Sequence, residues 1–253
     1  MLRVRNIKVI LEYDGSSYCG WQRQPRHPTV QELVENSLGK LFKERIKLSV
    51  AGRTDRGVHA KGQVINFVTC SSIPVPVIRP ALNSYLPPDI KVKKVQEVSL
   101  NFHAQKSALS RLYRYIIYNH PFPNPFYRNF SWYVPFSLEI GNMKEASRYL
   151  IGRHDFSSFL AQGSPVYSPV REIEKVVFFI KGRFMVIYIR ADSFLYRMVR
   201  NIIGTLVQVG RGEILPPRVK EILDARDRTA AGPTAPPQGL YLVRIRYPLS
   251  SPK

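Results

Sequence analysis

Two runs rich in β-branched and aromatic residues, Glu174–Ile180 and Phe184–Arg190, flank the tripeptide Lys181-Gly182-Arg183. A short turn with a central glycine between two such runs joins adjacent antiparallel strands. One antiparallel pair among interspersed helical patterns predicts an α+β fold with antiparallel or mixed sheets, and excludes a doubly wound parallel sheet. Strict alternation supports two more strands. Asn6–Tyr13 puts Ile7, Val9, Leu11 and Tyr13 on one face, and Arg111–Tyr118 puts Tyr113 and Tyr115 opposite Leu112 and Arg114. Shorter strands are expected over 48–52, Gln63–Val68, Lys91–Val98 and Gly239–Tyr247.

Helical spacing follows Thr29, where Val30, Leu33, Val34, Leu38 and Leu41 share a face. Thr29 and Glu32 have the spacing of a capping box. Asn142 is expected to cap a helix over Met143–Ile151, with Glu145 at the matching position. Phe194–Val209 carries a long apolar stripe, and Arg218–Ala225 a shorter one. The prolines of Thr69–Pro80 predict a loop, as do 119–129 and Thr229–Gly239. Residues 1–104 and 105–253 are similar in size and content, which suggests two α/β domains.

Charge narrows the partners. The chain carries 38 Lys and Arg against 18 Asp and Glu, a net charge of +20. The excess is spread over both halves, with 16 basic and 8 acidic residues in 1–104 and 22 and 10 in 105–253. Such a surface attracts polyanions, of which nucleic acid is the commonest in the cytosol. A generally basic surface kept for solubility is the alternative. The unbroken apolar runs, such as Val176–Ile180, are five or six residues long, against roughly 20 for a membrane-spanning helix. The first residues contain no apolar core of a secretory signal. Cys19 and Cys70 form no Cys-x-x-Cys pair and suggest neither a disulfide framework nor zinc. A reducing, cytoplasmic compartment fits.

The densest polar segment is Gly52-Arg53-Thr54-Asp55-Arg56-Gly57-Val58-His59-Ala60. It joins two expected strands, where functional groups concentrate. Arg53 and Arg56 favour an ionised Asp55. From spacing alone, Asp55 is as readily a turn residue paired with an arginine as a reactive carboxylate.

These nine residues resemble the signature of the TruA family of tRNA pseudouridine synthases. Other blocks resemble the family in order: Tyr13-Asp14-Gly15 with Gly20-Trp21-Gln22, then Leu82-Asn83 to Asp89-Ile90, then Arg111-x-Tyr113-x-Tyr115. The second half adds Gly152-x-His154-Asp155-Phe156, Phe194-Leu195-Tyr196-x-Met198-Val199-Arg200-Asn201 and Gly239-Leu240-Tyr241-Leu242. The likeness covers nearly the whole chain. One departure is Gln105, where the family commonly has Arg.

The resemblance implies a pseudouridine synthase fold: two similar α/β subdomains, helices on one face of the sheets, and an RNA-binding cleft between them. It implies isomerisation of uridines 38 to 40 in the anticodon arm of tRNA, without cofactor or metal, by a homodimer. It makes Asp55 the nucleophile and Arg200 its ion-pair partner. Arg53 would displace the target base, and Tyr113 would stack on it. Each role has a physical reason. A stacked, paired base must leave the helix before its atoms can react. An aromatic ring can hold it by stacking, and a guanidinium keeps a desolvated carboxylate ionised.

Outside the resemblance, Tyr113 reads as a strand residue and Arg200 as a solvated one. His59 and His154 read as structural, since neither has a second ligand at metal spacing. Arg56 occupies the signature's free position and takes no role. A non-catalytic RNA-binding protein on the same scaffold remains the alternative. A metal-dependent nuclease would need clustered carboxylates, and Asp55 has no acidic neighbour between Glu44 and Asp89.

Overall fold

The structure is a computed structural model, describing residues 3–163 and 167–248. In chain order the first elements are β1 (Arg5–Tyr13), α1 (Val30–Phe42), β2 (Leu48–Val50), β3 (His59–Thr69), α2 (Val75–Tyr85) and β4 (Ile90–Val98). There follow β5 (Ser110–Asn119), β6 (Trp132–Val134), α3 (Ile140–Arg148), β7 (Gly152–Asp155), β8 (Val170–Lys181) and β9 (Phe184–Ala191). The chain ends with α4 (Met198–Gly210), α5 (Arg218–Ala225) and β10 (Leu240–Arg246). It forms two compact units, Met1–Leu109 with Tyr241–Lys253, and Ser110–Leu240.

In the first unit β1 lies between β3 and β4, antiparallel to both. Alternation along β1 buries Ile7, Val9 and Leu11 completely or nearly so. On its other edge β3 pairs antiparallel with β2 and, at His59 and Ala60, parallel with β10. Both faces of β3 are covered, so its burial is nearly continuous rather than alternating.

The expected loop over Thr69–Pro80 is corrected. Pro74 caps α2 and Pro76 sits in its first turn, where N–H groups have no intrahelical acceptor. Pro80 lies inside the helix. Fully buried Ile78 and nearly buried Leu82 dock α2 on β4 and offset the lost hydrogen bond.

The capping box at Thr29 is also corrected. Thr29 occupies the cap position with extended backbone, but its side chain makes no capping bond, and its buried hydroxyl has no partner among the described residues. The first-turn N–H groups of Val30 and Gln31 donate instead to the carbonyls of Gly20 and Trp21 at 3.2 and 3.0 Å. Tertiary acceptors thus do the work of a local cap.

In the second unit the strand order is β5-β9-β8-β7, all antiparallel, with β6 parallel to β5. The hairpin at Lys181-Gly182-Arg183 forms as expected, with Gly182 at φ 57° supplying the left-handed position. Helices α3, α4 and α5 pack together and against β7 and β8. Tyr115, Ile117, Ile187 and Ile189 form the fully buried sheet face.

Two helix starts differ from expectation. α3 begins at Ile140 after Glu139 rather than after Asn142, because the Glu139 N–H is anchored on the Gly210 carbonyl at 2.7 Å. α4 begins at Met198 rather than Phe194, because Arg197 adopts φ 59°, which an α-helix cannot pass through. α5 spans Arg218–Ala225 as expected.

Candidate active site

The loop between β2 and β3 is held by its backbone. The Trp21 N–H donates to Thr54 O at 2.9 Å, and Gly57 N–H to Tyr18 O at 3.3 Å. Val58 N–H closes a turn on Asp55 O at 3.1 Å. Gly57, at φ 76°, supplies the left-handed residue that this turn needs. The segment Gly15–Trp21 therefore acts as a strap across the loop.

Beneath it lies a buried polar cluster. The Tyr13 and Thr54 hydroxyls are 2.8 Å apart, and Gln63 Nε2 donates to Gly52 O at 2.6 Å and to Tyr13 Oη at 3.4 Å. Burial pushes the Tyr13 phenol up to about 12, even though its hydrogen bonds to Thr54 and Gln63 pull the other way. At neutral pH it is therefore an uncharged phenol. Buried groups this well paired specify one geometry. Replacing Thr54 by Val keeps the shape but removes the shorter of the two hydrogen bonds at Tyr13, which costs about 1–3 kcal/mol. We expect a correspondingly lower denaturant midpoint with an unchanged m-value. Thr54→Ser should recover most of the loss, and equal midpoints for the two variants would refute the role.

With Thr54 tied down, Asp55 stands half-buried while Arg53 and Arg56 are exposed. The loop thus presents one carboxylate at partial exposure, with the exposed cations Arg53 and Arg56 before and after it in sequence. His59, at the loop's end, is buried and stacks on Tyr241 with ring centroids 4.6 Å apart. Its Nδ1 lies 3.0 Å from both Gly15 N and Asp14 Oδ1. A single ring nitrogen cannot accept from one and donate to the other. The Gly15 hydrogen is fixed by the backbone, so Nδ1 serves as its acceptor.

Tyr113 and Arg200 lie in the second unit. Tyr113 is a buried β5 residue, its ring edge-on to Phe194 at 5.1 Å. Arg200 sits in the first turn of α4, half-buried, not freely solvated. Its Nε donates to Ala235 O at 2.7 Å, and Ala235 N–H donates back to Arg200 O at 3.1 Å. The next residue, Asn201, is fully buried. It donates to Phe159 O at 2.7 Å and accepts from Thr234 Oγ1 at 2.6 Å. Gly204 lets the loop after α5 approach α4, since a Cβ there would lie 1.7 Å from Pro233 O. Burial pushes the Tyr115 phenol well above its ordinary value, and the Arg200 charge counters this only in part.

The four residues singled out from sequence thus fall two to a unit: Arg53 and Asp55 in the first, Tyr113 and Arg200 in the second. Sequence reasoning missed Tyr13, Thr54 and Gln63 as a positioning cluster. A glutamine between the apolar residues of a strand was one signal available. Asn201, a polar residue on an apolar helix, was another. Among the described residues no three His, Cys, Asp or Glu side chains gather as a metal site. No helix there is long and apolar enough to cross a membrane.

A mixed α+β chain of net charge +20 with a strapped carboxylate loop has the make-up of an RNA-modifying enzyme. A family model described as tRNA pseudouridine synthase matches residues 9–105 and 146–248, so the chain belongs to the tRNA pseudouridine synthase family and is an isomerase. Its relatives agree over nearly full length. The tRNA pseudouridine synthase A of Thermoanaerobacter sp. (strain X514) is 47% identical over 244 residues, covering 96% of this chain and 100% of that one. That of Caldicellulosiruptor saccharolyticus is 45% identical with the same coverage. That of Moorella thermoacetica is 47% identical, covering 95% of this chain and 99% of the relative.

Proposed function

We propose that this enzyme converts uridine to pseudouridine at positions 38, 39 and 40 of the tRNA anticodon arm, with Asp55 as nucleophile. The observation that carries the reading is the Asp55 loop. Its backbone is pinned by Trp21 and Tyr18 and its neighbour Thr54 is buried, yet the carboxylate is left half-exposed. A nucleophile benefits from such a fixed origin, because small misplacements are costly in rate.

The reaction breaks the C1′–N1 bond and forms a C1′–C5 bond. C5 loses a proton and N1 gains one, so no electrons or water are consumed. Asp55 adds to the ribose or the base and is released at the end. The target base is flipped out of the stem, at a cost of a few kcal/mol. Arg53, exposed beside Asp55, fills the vacated space, and Tyr113 stacks on the extruded ring. Arg200 serves as the ion-pair partner of Asp55. Its seat on Ala235 and the buried Asn201 beside it support a positioning role. The acting form is a cytoplasmic homodimer. The two free cysteines, Cys19 and Cys70, suit a reducing compartment.

The test is to incubate the protein with unmodified tRNA transcripts and map pseudouridine by position. Product at 38 to 40 is expected. Product only elsewhere in the tRNA would overturn the site assignment, and tight binding without product would favour a non-catalytic RNA-binding role. Binding should also weaken steeply with salt, by roughly 10³-fold or more between 50 and 200 mM if six or more phosphates are neutralised. A flat response would contradict a backbone-tracking mode.

A further inference from the structure

Arg228 turns its guanidinium inward. It opens the short 3₁₀ turn Arg228–Ala230 after α5 and is half-buried. Its Nη1 donates to Ala231 O at 3.1 Å, and its Nη2 to Asn201 Oδ1 at 3.3 Å and to Thr234 Oγ1 at 3.2 Å. These acceptors are all neutral. The neighbouring carboxylate, Asp227, is engaged by the Thr229 N–H and hydroxyl. Burial pulls the Arg228 pKa below its ordinary value, yet a guanidinium stays charged at neutral pH, and charged donors make the stronger hydrogen bonds. An arginine in so basic a chain is expected to reach outward for phosphate. Arg228 gives both terminal nitrogens to its own protein.

Its partners carry the seat of Arg200. Thr234 Oγ1 accepts from Arg228 and donates to Asn201 Oδ1 at 2.6 Å, while Asn201 Nδ2 donates to Phe159 O at 2.7 Å. This set of bonds fixes both the hydroxyl proton and the amide orientation. The next residue, Ala235, accepts from Arg200 Nε at 2.7 Å and returns its N–H to Arg200 O at 3.1 Å. Pro236 O then accepts from the Tyr115 hydroxyl at 2.7 Å. Residues 231–236 contain no helix or strand, so these cross-links set the course of the loop in place of a backbone ladder.

We propose that Arg228 is a positioning residue for the isomerisation: by clamping Thr234 against Asn201, it fixes the Ala235 carbonyl on which Arg200 is seated. The inference rests on the reading of Arg200 as the ion-pair partner of Asp55. An arginine side chain has several rotatable bonds, so its head group is aimed only if a point along it is held. The Nε–H bond to Ala235 is such a point, and it is only as fixed as the loop that carries Ala235.

Single-turnover pseudouridine formation and filter binding of tRNA test the clamp, with Arg228→Met, Thr234→Val and Thr234→Ser as variants. Arg228→Met and Thr234→Val should each slow the saturated rate by about 10- to 100-fold, the scale of an ångström misplacement. Affinity for tRNA should stay within about threefold of wild type, since it comes mainly from phosphate contacts. Thr234→Ser keeps the hydroxyl and should stay within about threefold of the wild-type rate. Arg226→Met, which removes an exposed neighbouring charge, should leave the rate unchanged. In an Arg200→Ala background, Arg228→Met should slow the reaction no further, because it acts through the group already removed. If Arg228→Met does not fold, the two Thr234 variants carry the test. Wild-type rates for Arg228→Met and Thr234→Val overturn the proposal. So do equal losses in the two Thr234 variants, an equal loss in Arg226→Met, a loss of affinity in place of rate, or additivity with Arg200→Ala. If Arg200→Ala itself reacts at the wild-type rate, the reading of Arg200 fails and the clamp falls with it. A slow Arg200→Ala beside a fast Arg228→Met overturns the clamp alone.

Discussion

Asp55→Asn is expected to abolish pseudouridine formation while leaving the protein folded and able to bind tRNA. The substitution is isosteric, and the turn bond from Val58 N–H goes to the Asp55 main-chain oxygen, so the loop keeps its shape. What disappears is the negative charge and the nucleophilic oxygen. Removing a nucleophile leaves only binding and electrostatic contributions, so the rate should fall by more than about 10³-fold. Affinity for tRNA should stay within about a factor of three, since most of it comes from phosphate contacts. Single-turnover kinetics with end-labelled transcript would measure the first, and filter binding the second. An Asn variant within about tenfold of wild type would show that Asp55 is a turn residue after all.

Gly20→Ala should damage both stability and rate from outside the loop itself. Gly20 has φ 91°, and a Cβ there would lie 2.6 Å from Thr54 O and 3.0 Å from the Asp55 carbonyl carbon. Both neighbours are backbone, so nothing can rotate away. The strain and the clash together are expected to cost about 2–4 kcal/mol of stability. Because the displaced atoms belong to Thr54 and Asp55, the surviving folded fraction should lose about 10²-fold in kcat, the scale of an ångström misplacement. Measured at a temperature where the variant remains folded, a wild-type kcat would show that the strap holds the fold and not the carboxylate. Thr54→Val, in contrast, perturbs the same loop from below without moving its backbone, so its stability loss should exceed its loss of rate.

Much of this architecture was legible in the chain because its determinants are local. The β1 and β5 alternation, the Gly182 hairpin between β8 and β9, and α5 follow from side-chain period and turn chemistry within a few residues. The nine-residue signature was equally legible, and it directed attention to Asp55 before any geometry was known. Where reasoning from the residues departed from the structure, the deciding partner was distant in sequence. Three prolines between 69 and 80 look like a loop until β4 offers Ile78 and Leu82 a surface. Thr29 and Glu32 have capping-box spacing, but Gly20 and Trp21 supply the acceptors. The stripe from Phe194 looks continuous, yet Arg197 turns left-handed, so that Phe194 packs on Tyr113 and the helix begins at Met198.

The sequence by itself determined most of the longer strands and helices, the basic surface and the position of the carboxylate loop, since period, charge and motif are properties of neighbouring residues. Tertiary structure alone decided that β10, last in the chain, lies parallel to β3 beside His59. It alone brought Tyr13, Thr54 and Gln63 together beneath Gly52–Asp55. It alone left one face of the β5-β9-β8 sheet half-exposed. Each of these depends on which surfaces meet when distant segments bury their apolar faces, and no local pattern encodes that choice.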